Sequence, residues 1–259
     1  MTWLRAATWL ILIFASTATA LPAAAQSAPG GGSPALAAQA IRSALFDAQA
    51  ALLAGDAAAA HDAVEAAQDA AGPLASRFTA DAGVAPEIAA ALDDAAVAAS
   101  DGDATAMGVA SGRVWAALTR GGYAETLAAV GHNDAADAAQ WLLLRDFRPT
   151  TTLSRPGADA TLAVRKLGAG DLTPEQTAAA VRGDLLDTYQ AQLEAELDDI
   201  AGAAPDKLSP TQAAAVGLAA GHWPVLAGAY ETQQGADART KADAAFAALP
   251  AAVANGDTA

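Results

Sequence analysis

Residues 173–200 read TPEQTAAAVRGDLLDTYQAQLEAELDDI. Thr173 is a natural N-cap, Pro174 takes the first helical position where its missing N–H does no harm, and Gln176 stands three residues after the cap. Together they form a capping box. Behind it Val181, Leu185, Tyr189, Leu193 and Leu197 recur every four residues. That spacing predicts one helix from 174 to about 200 with an apolar stripe. Ser209-Pro210-Thr211-Gln212 repeats the same start.

The rest of the chain is rich in alanine, the best helix former. Strand formers are sparse and do not alternate. Ile41, Leu45, Ala48 and Leu52 predict a second stripe near the start. Breakers punctuate the chain at Gly55-Asp56, Gly72-Pro73, Pro86, Gly102-Asp103, Gly121-Gly122, Gly131-His132-Asn133-Asp134, Pro149, Gly168-Ala169-Gly170-Asp171, Pro205 and Gly221. At such junctions glycine ends one helix in a left-handed conformation and the nearby Asp caps the next. The junction aspartates Asp56, Asp103, Asp134 and Asp171 are spaced 47, 31 and 37 residues apart. A tetratricopeptide array would hold a steady period of about 34. The expected fold is therefore all-α: an antiparallel bundle of about eight to ten helices built from helical hairpins.

The N-terminus reads as an export signal. Arg5 precedes the apolar run AATWLILIFASTATAL at 6–21, and Ala23-Ala24-Ala25 supplies small residues for cleavage. The run is shorter than the roughly 20 residues of a membrane span. The expected organisation is a signal peptide over 1–25, a flexible linker over 26–34, a helical domain over 35–250 and a disordered tail over 251–259. The domain is expected in the periplasm, and an uncleaved signal would anchor it to the inner membrane. The chain has no cysteine, so stability rests on its core rather than on the disulfides that export permits.

Net charge is −15 and uneven: −10 over residues 26–144, +2 over 145–182 and −8 over 183–259. Acidic flanks disfavour nucleic acid and anionic lipid, which need basic surfaces. They suit cations and also simple solubility. No Gly-x-Ser-x-Gly, His-Glu-x-x-His or phosphate-cradling loop is present. No enzymatic activity is expected.

Few residues offer chemistry. His61 and Glu65 are four apart on a predicted helix and could share a metal, or form a solvated pair. His132 lies in a turn, and His222 adjoins Trp223-Pro224 at an expected helix break. Trp141, Arg145 and Arg148 are spaced i, i+4, i+7, so they share one face of a helix that Pro149 stops. Arg155 follows in an extended segment. Asp159, Asp184 and Asp187 are the nearest acids. These six charged residues read either as an Arg–Asp network joining helix pairs or as a pocket for an anion. In the first case Arg145→Ala should cost about 3–5 kcal/mol, as for a buried ion pair losing one partner.

The wording WLLLRDFRPTTTLSRPGADATLAVRKLGAG, beginning at 141, followed by AAAVRGDLLDTYQAQL, resembles the extracytoplasmic N-terminal region of bacterial Ftr-type high-affinity iron permeases. Trp141, Arg145, Phe147, Arg148, Arg155, Pro156, Asp159, Thr161 and the run Asp184 to Tyr189 carry the resemblance. In that family a signal peptide and a helical domain precede a membrane permease, whose Arg-Glu-x-x-Glu motif transports iron. This chain has no Arg-Glu pair, so it resembles the periplasmic portion alone. The resemblance implies an accessory role in iron uptake, with iron as the ligand. The implied partner is a membrane-embedded permease, on the same gene product or a separate chain. Ferric ion favours hard oxygen ligands, which makes Tyr189 a candidate beside His61 and Glu65. Tyr189 also fits a core role in its stripe. The alternative function is a helical scaffold or protein-interaction domain that binds no metal.

Overall fold

The computed structural model describes residues 32–145, 159–202 and 208–254. The expected signal peptide, most of the linker and residues 255–259 lie outside the described residues. Among those described there are nine helices and no strand. They are α1 (Pro34–Leu53), α2 (Ala57–Ala75), α3 (Val84–Asp101), α4 (Ala104–Gly131), α5 (Ala135–Trp141), α6 (Ala160–Ala169), α7 (Pro174–Ala201), α8 (Pro210–Gln234) and α9 (Ala236–Ala254). The chain is an all-α bundle.

The helix starts follow the local chemistry. Asp56, Asp103, Asp134 and Asp159 each accept a backbone N–H from the first turn of the helix behind them. Thr173 and Ser209 form complete capping boxes. Gly55, Gly102 and Gly170 adopt positive φ where α1, α3 and α6 end, a conformation that only glycine reaches freely. At the last junction the cap is Thr173 rather than Asp171.

Three expected breaks are absent. Pro73 lies inside the last turn of α2, Gly121-Gly122 inside α4 and Gly221 inside α8. These glycines serve close packing instead. A Cβ at Gly122 would stand 2.8 Å from that of Leu144, and one at Gly121 would strike the Phe78 ring.

α4 is the hub, touching α1, α3, α5, α7 and α8. Asp94 faces Arg113 and Glu87 faces Arg120, so α3 and α4 run antiparallel. Against α8 the order is different. Gly108 meets Ala213, Gly112 meets Ala214 and Leu218, and Ala116 meets Gly221. Positions rise together, so α4 and α8 run in the same direction. A Cβ at Gly112 would overlap the Ala214 carbonyl, and one at Gly217 would overlap that of Val109. The two backbones thus touch through paired glycines.

Among the described residues the core has three parts. Ile41, Leu74, Ile88, Met107 and Leu118 lead the one shared by α1 to α5. Val130, Leu142, Val164, Val181, Leu185 and Tyr189 fill the second. Leu193, Ala219 and Trp223 form the third, against Phe246 and Leu249 of α9.

The α7 stripe holds through Leu193, which is 8% exposed, whereas Leu197 is 38% exposed. Each four-residue step overshoots a full turn by about 40°, so a strict i+4 series rotates off its face. Glu196, three residues after Leu193, is buried in its place.

Candidate functional site

The expected helix over 141–148 is corrected. α5 stops at Trp141, residues 142–144 turn, and Arg145 is non-helical. Leu142 and Leu144 are both buried. Residues two apart lie about 200° apart on a helix, so one helical face could not bury both. The Leu144 N–H instead bonds the Trp141 carbonyl at 2.9 Å, and Leu144 seats against Gly122.

This turn aims Arg145 at the start of α6. Its Nη2 donates to Thr161 Oγ1 at 2.7 Å, and Nη1 lies 4.0 Å from Asp184 Oδ2 on α7. The same Asp184 oxygen accepts the Ala160 N–H at 2.9 Å. Asp159 caps α6 through Leu162 N–H. Asp159 and Asp184 therefore both serve the α6 N-terminus, where carboxylates favour the helix dipole. Arg145 joins that terminus to the exit of α5. Asp187 is partly buried on α7, one turn after Asp184. Arg148 and Arg155 lie outside the described residues.

The three metal candidates do not meet. His61 Nε2 stands 3.4 Å from Glu65 Oε1 on an exposed face of α2, with side chains 54% and 65% exposed. Tyr189 is buried on α7, and its hydroxyl donates to the Thr119 carbonyl of α4 at 2.9 Å. Among the described residues no group of three or more His, Asp or Glu is placed to hold a metal. Tyr123 packs edge-on to Tyr189 at 6.2 Å. Burial pushes the Tyr123 phenol up, with Arg182 pulling the other way.

A buried polar cluster escaped the sequence reading. His222 is fully buried inside a continuous α8, not at a break. Its Nδ1 lies 2.9 Å from Glu196 Oε1, and its ring packs 5.3 Å from that of Tyr189. Glu125 of α4 is also buried and accepts the N–H groups of Thr79 and Ala80 in the α2–α3 loop. The available signal for Glu196 was its place eleven residues after Leu185, about 20° from that residue around the helix and so on the stripe's face. Its partner lies 26 residues away, beyond the reach of periodicity.

The family model described as the iron permease FTR1 N-terminal domain matches residues 32–259. The chain belongs to this family. The match spans every described helix, so α1 to α9 together constitute the family's domain in this chain. No curated protein and no solved structure matches it. Among the described residues of this iron permease N-terminal domain, no helix is long and apolar enough to cross a membrane.

Proposed function

We propose that this chain is an extracytoplasmic accessory domain of a high-affinity iron permease, assisting iron uptake across the inner membrane. The match of the iron permease N-terminal domain family over residues 32–259 carries the reading. Export through residues 1–25 and a location in the periplasm belong to the same proposal. Iron is cargo here, and a membrane-embedded permease, on the same gene product or a separate chain, moves it across the bilayer. The domain performs no chemical step. Its −15 net charge would raise the local concentration of cations near that partner, since a field of one sign steers oppositely charged solutes.

A second reading, a helical scaffold that binds no metal, is favoured by one observation. The buried or half-buried carboxylates Glu125, Asp184 and Glu196 are all engaged with backbone N–H groups, Arg145 or His222. Calorimetric titration with ferric citrate, and with ferrous ion under anaerobic conditions, separates the two. Saturable binding near one equivalent supports iron reception. Absence of heat at micromolar protein would leave the scaffold reading.

A further inference from the structure

Beside the α4–α8 contact lies an apolar pocket of about 150 Å³, walled by α1, α4 and α8. No residue considered above as a site belongs to it. A cavity of that size accommodates one benzene-sized ring. Its walls include Phe46, Trp115 and Leu218. Phe46 is 70% exposed, so an aromatic face stands open to solvent at the rim. The polar groups at the pocket are few and of defined sense, as in ligand sites generally. Arg42 holds its guanidinium 4.4 Å from the centre of the Trp115 ring. A guanidinium offers five N–H donors in a planar fork suited to a carboxylate. The Ser111 hydroxyl donates to the Met107 carbonyl at 2.8 Å, and the Gln49 amide nitrogen points to the Ala104 carbonyl at 3.4 Å. A hydroxyl and an amide whose donors are engaged in this way retain oxygens able to accept from a further partner. The pocket thus combines an apolar slot for a ring, a cationic donor and two acceptors.

We propose that this pocket binds a small single-ring hydroxy acid. Its ring lies against Trp115, Phe46 and Leu218, its carboxylate pairs with Arg42, and its hydroxyl donates to Gln49 or Ser111. The assignment is independent of the iron reading. A ligand of about ten heavy atoms in a half-open pocket should bind with a Kd of about 0.1–1 mM.

The test is titration of the chain with 4-hydroxybenzoate, benzoate and phenol, followed by calorimetry and by amide chemical shifts. The expected result is saturable binding of 4-hydroxybenzoate with the largest shifts at Ser111, Gly112 and Trp115. Arg42→Gln should weaken 4-hydroxybenzoate and benzoate about tenfold, the value of one charge-assisted hydrogen bond, and leave phenol unchanged. Ser111→Leu, which fills the slot with a good helix former, should abolish binding of all three, with a thermal melt confirming that it folds. No saturation by about 10 mM, a limit well above the expected Kd, overturns the proposal. So does binding that Ser111→Leu leaves intact, or equal losses of acid and phenol in Arg42→Gln.

Discussion

The α4–α8 and α8–α9 contacts share one helix and are built in opposite ways. On its α4 side α8 presents Gly217 and Gly221, and backbone meets backbone. On its α9 side it presents Trp223, stacked on Phe246 at 4.8 Å and bonded through Nε1 to Asp243 at 2.7 Å. The first contact has no slack, because its spacing is set by main chain. The second is peripheral, since α9 has no buried residue among those described and its principal neighbour is α8. Small residues at the centre thus fix how the two halves of the bundle sit, and a large aromatic holds an outer helix.

The sharpest break in this contrast is Gly112→Ala. Its new methyl has nowhere to go except into the Ala214 carbonyl, and overpacking of this kind costs about 3 kcal/mol or more. Chemical denaturation should show either that loss or failure to fold. Gly228→Ala is the matching control on α8, where a Cβ meets nothing within 4 Å. It should stabilise by about 0.5–1 kcal/mol, the helical preference for alanine over glycine. Equal effects of the two substitutions would remove the distinction.

Trp223→Ala should come next, at about 2–3 kcal/mol, less than a central tryptophan because α9 can detach without the rest. Hydrogen exchange should show α9 amides losing protection while those of α4 keep theirs.

Arg145→Ala should cost about 1–2 kcal/mol, the range of a hydrogen bond made by a charged group. This is below the 3–5 kcal/mol expected of a fully buried pair. Arg145 and Asp184 are 19% and 27% exposed and 4.0 Å apart, and Asp184 keeps its bond to Ala160 when Arg145 is lost.

The smallest effect concerns pH. Partial desolvation, reinforced by the charge of Asp134, holds the carboxyl of the exposed Asp137 above its ordinary value, against a hydrogen bond from Trp141. The fold therefore binds that proton more tightly than the unfolded chain does. The group's contribution to stability grows as pH falls through the raised value and is lost above it. Asp137→Asn should melt slightly higher than the parent at neutral pH. The difference should vanish near about pH 3, where the carboxyl is protonated in both states.

Local features of the fold were legible in the sequence. The capping boxes at Thr173 and Ser209 and the stripe Ile41, Leu45, Ala48, Leu52 depend on neighbours within one turn. Gly121, Gly122 and Gly221 were misread because a glycine that ends a helix and one that admits another backbone are identical in sequence. Only the distant partner, Phe78, Leu144 or Ala116, tells them apart. The same holds for Glu196 and His222. For the Arg145 junction, Asp159, Asp184 and Asp187 are the nearest acids in the sequence; Arg145 lies 4.0 Å from Asp184, and Asp159 caps α6. The turn that delivers Arg145 was not legible, because it depends on burying Leu142 and Leu144 together. The iron connection came from the wording around 141–193 and the family match, not from a visible cluster of ligands.

The most direct test of the functional account is uptake of radioactive iron at limiting concentration, in cells carrying the membrane permease with and without this domain. The account predicts a marked fall in uptake when the domain is deleted, restored by the wild-type domain and by Gly228→Ala. Uptake that is unchanged by deletion, with the permease present at equal level, would contradict it.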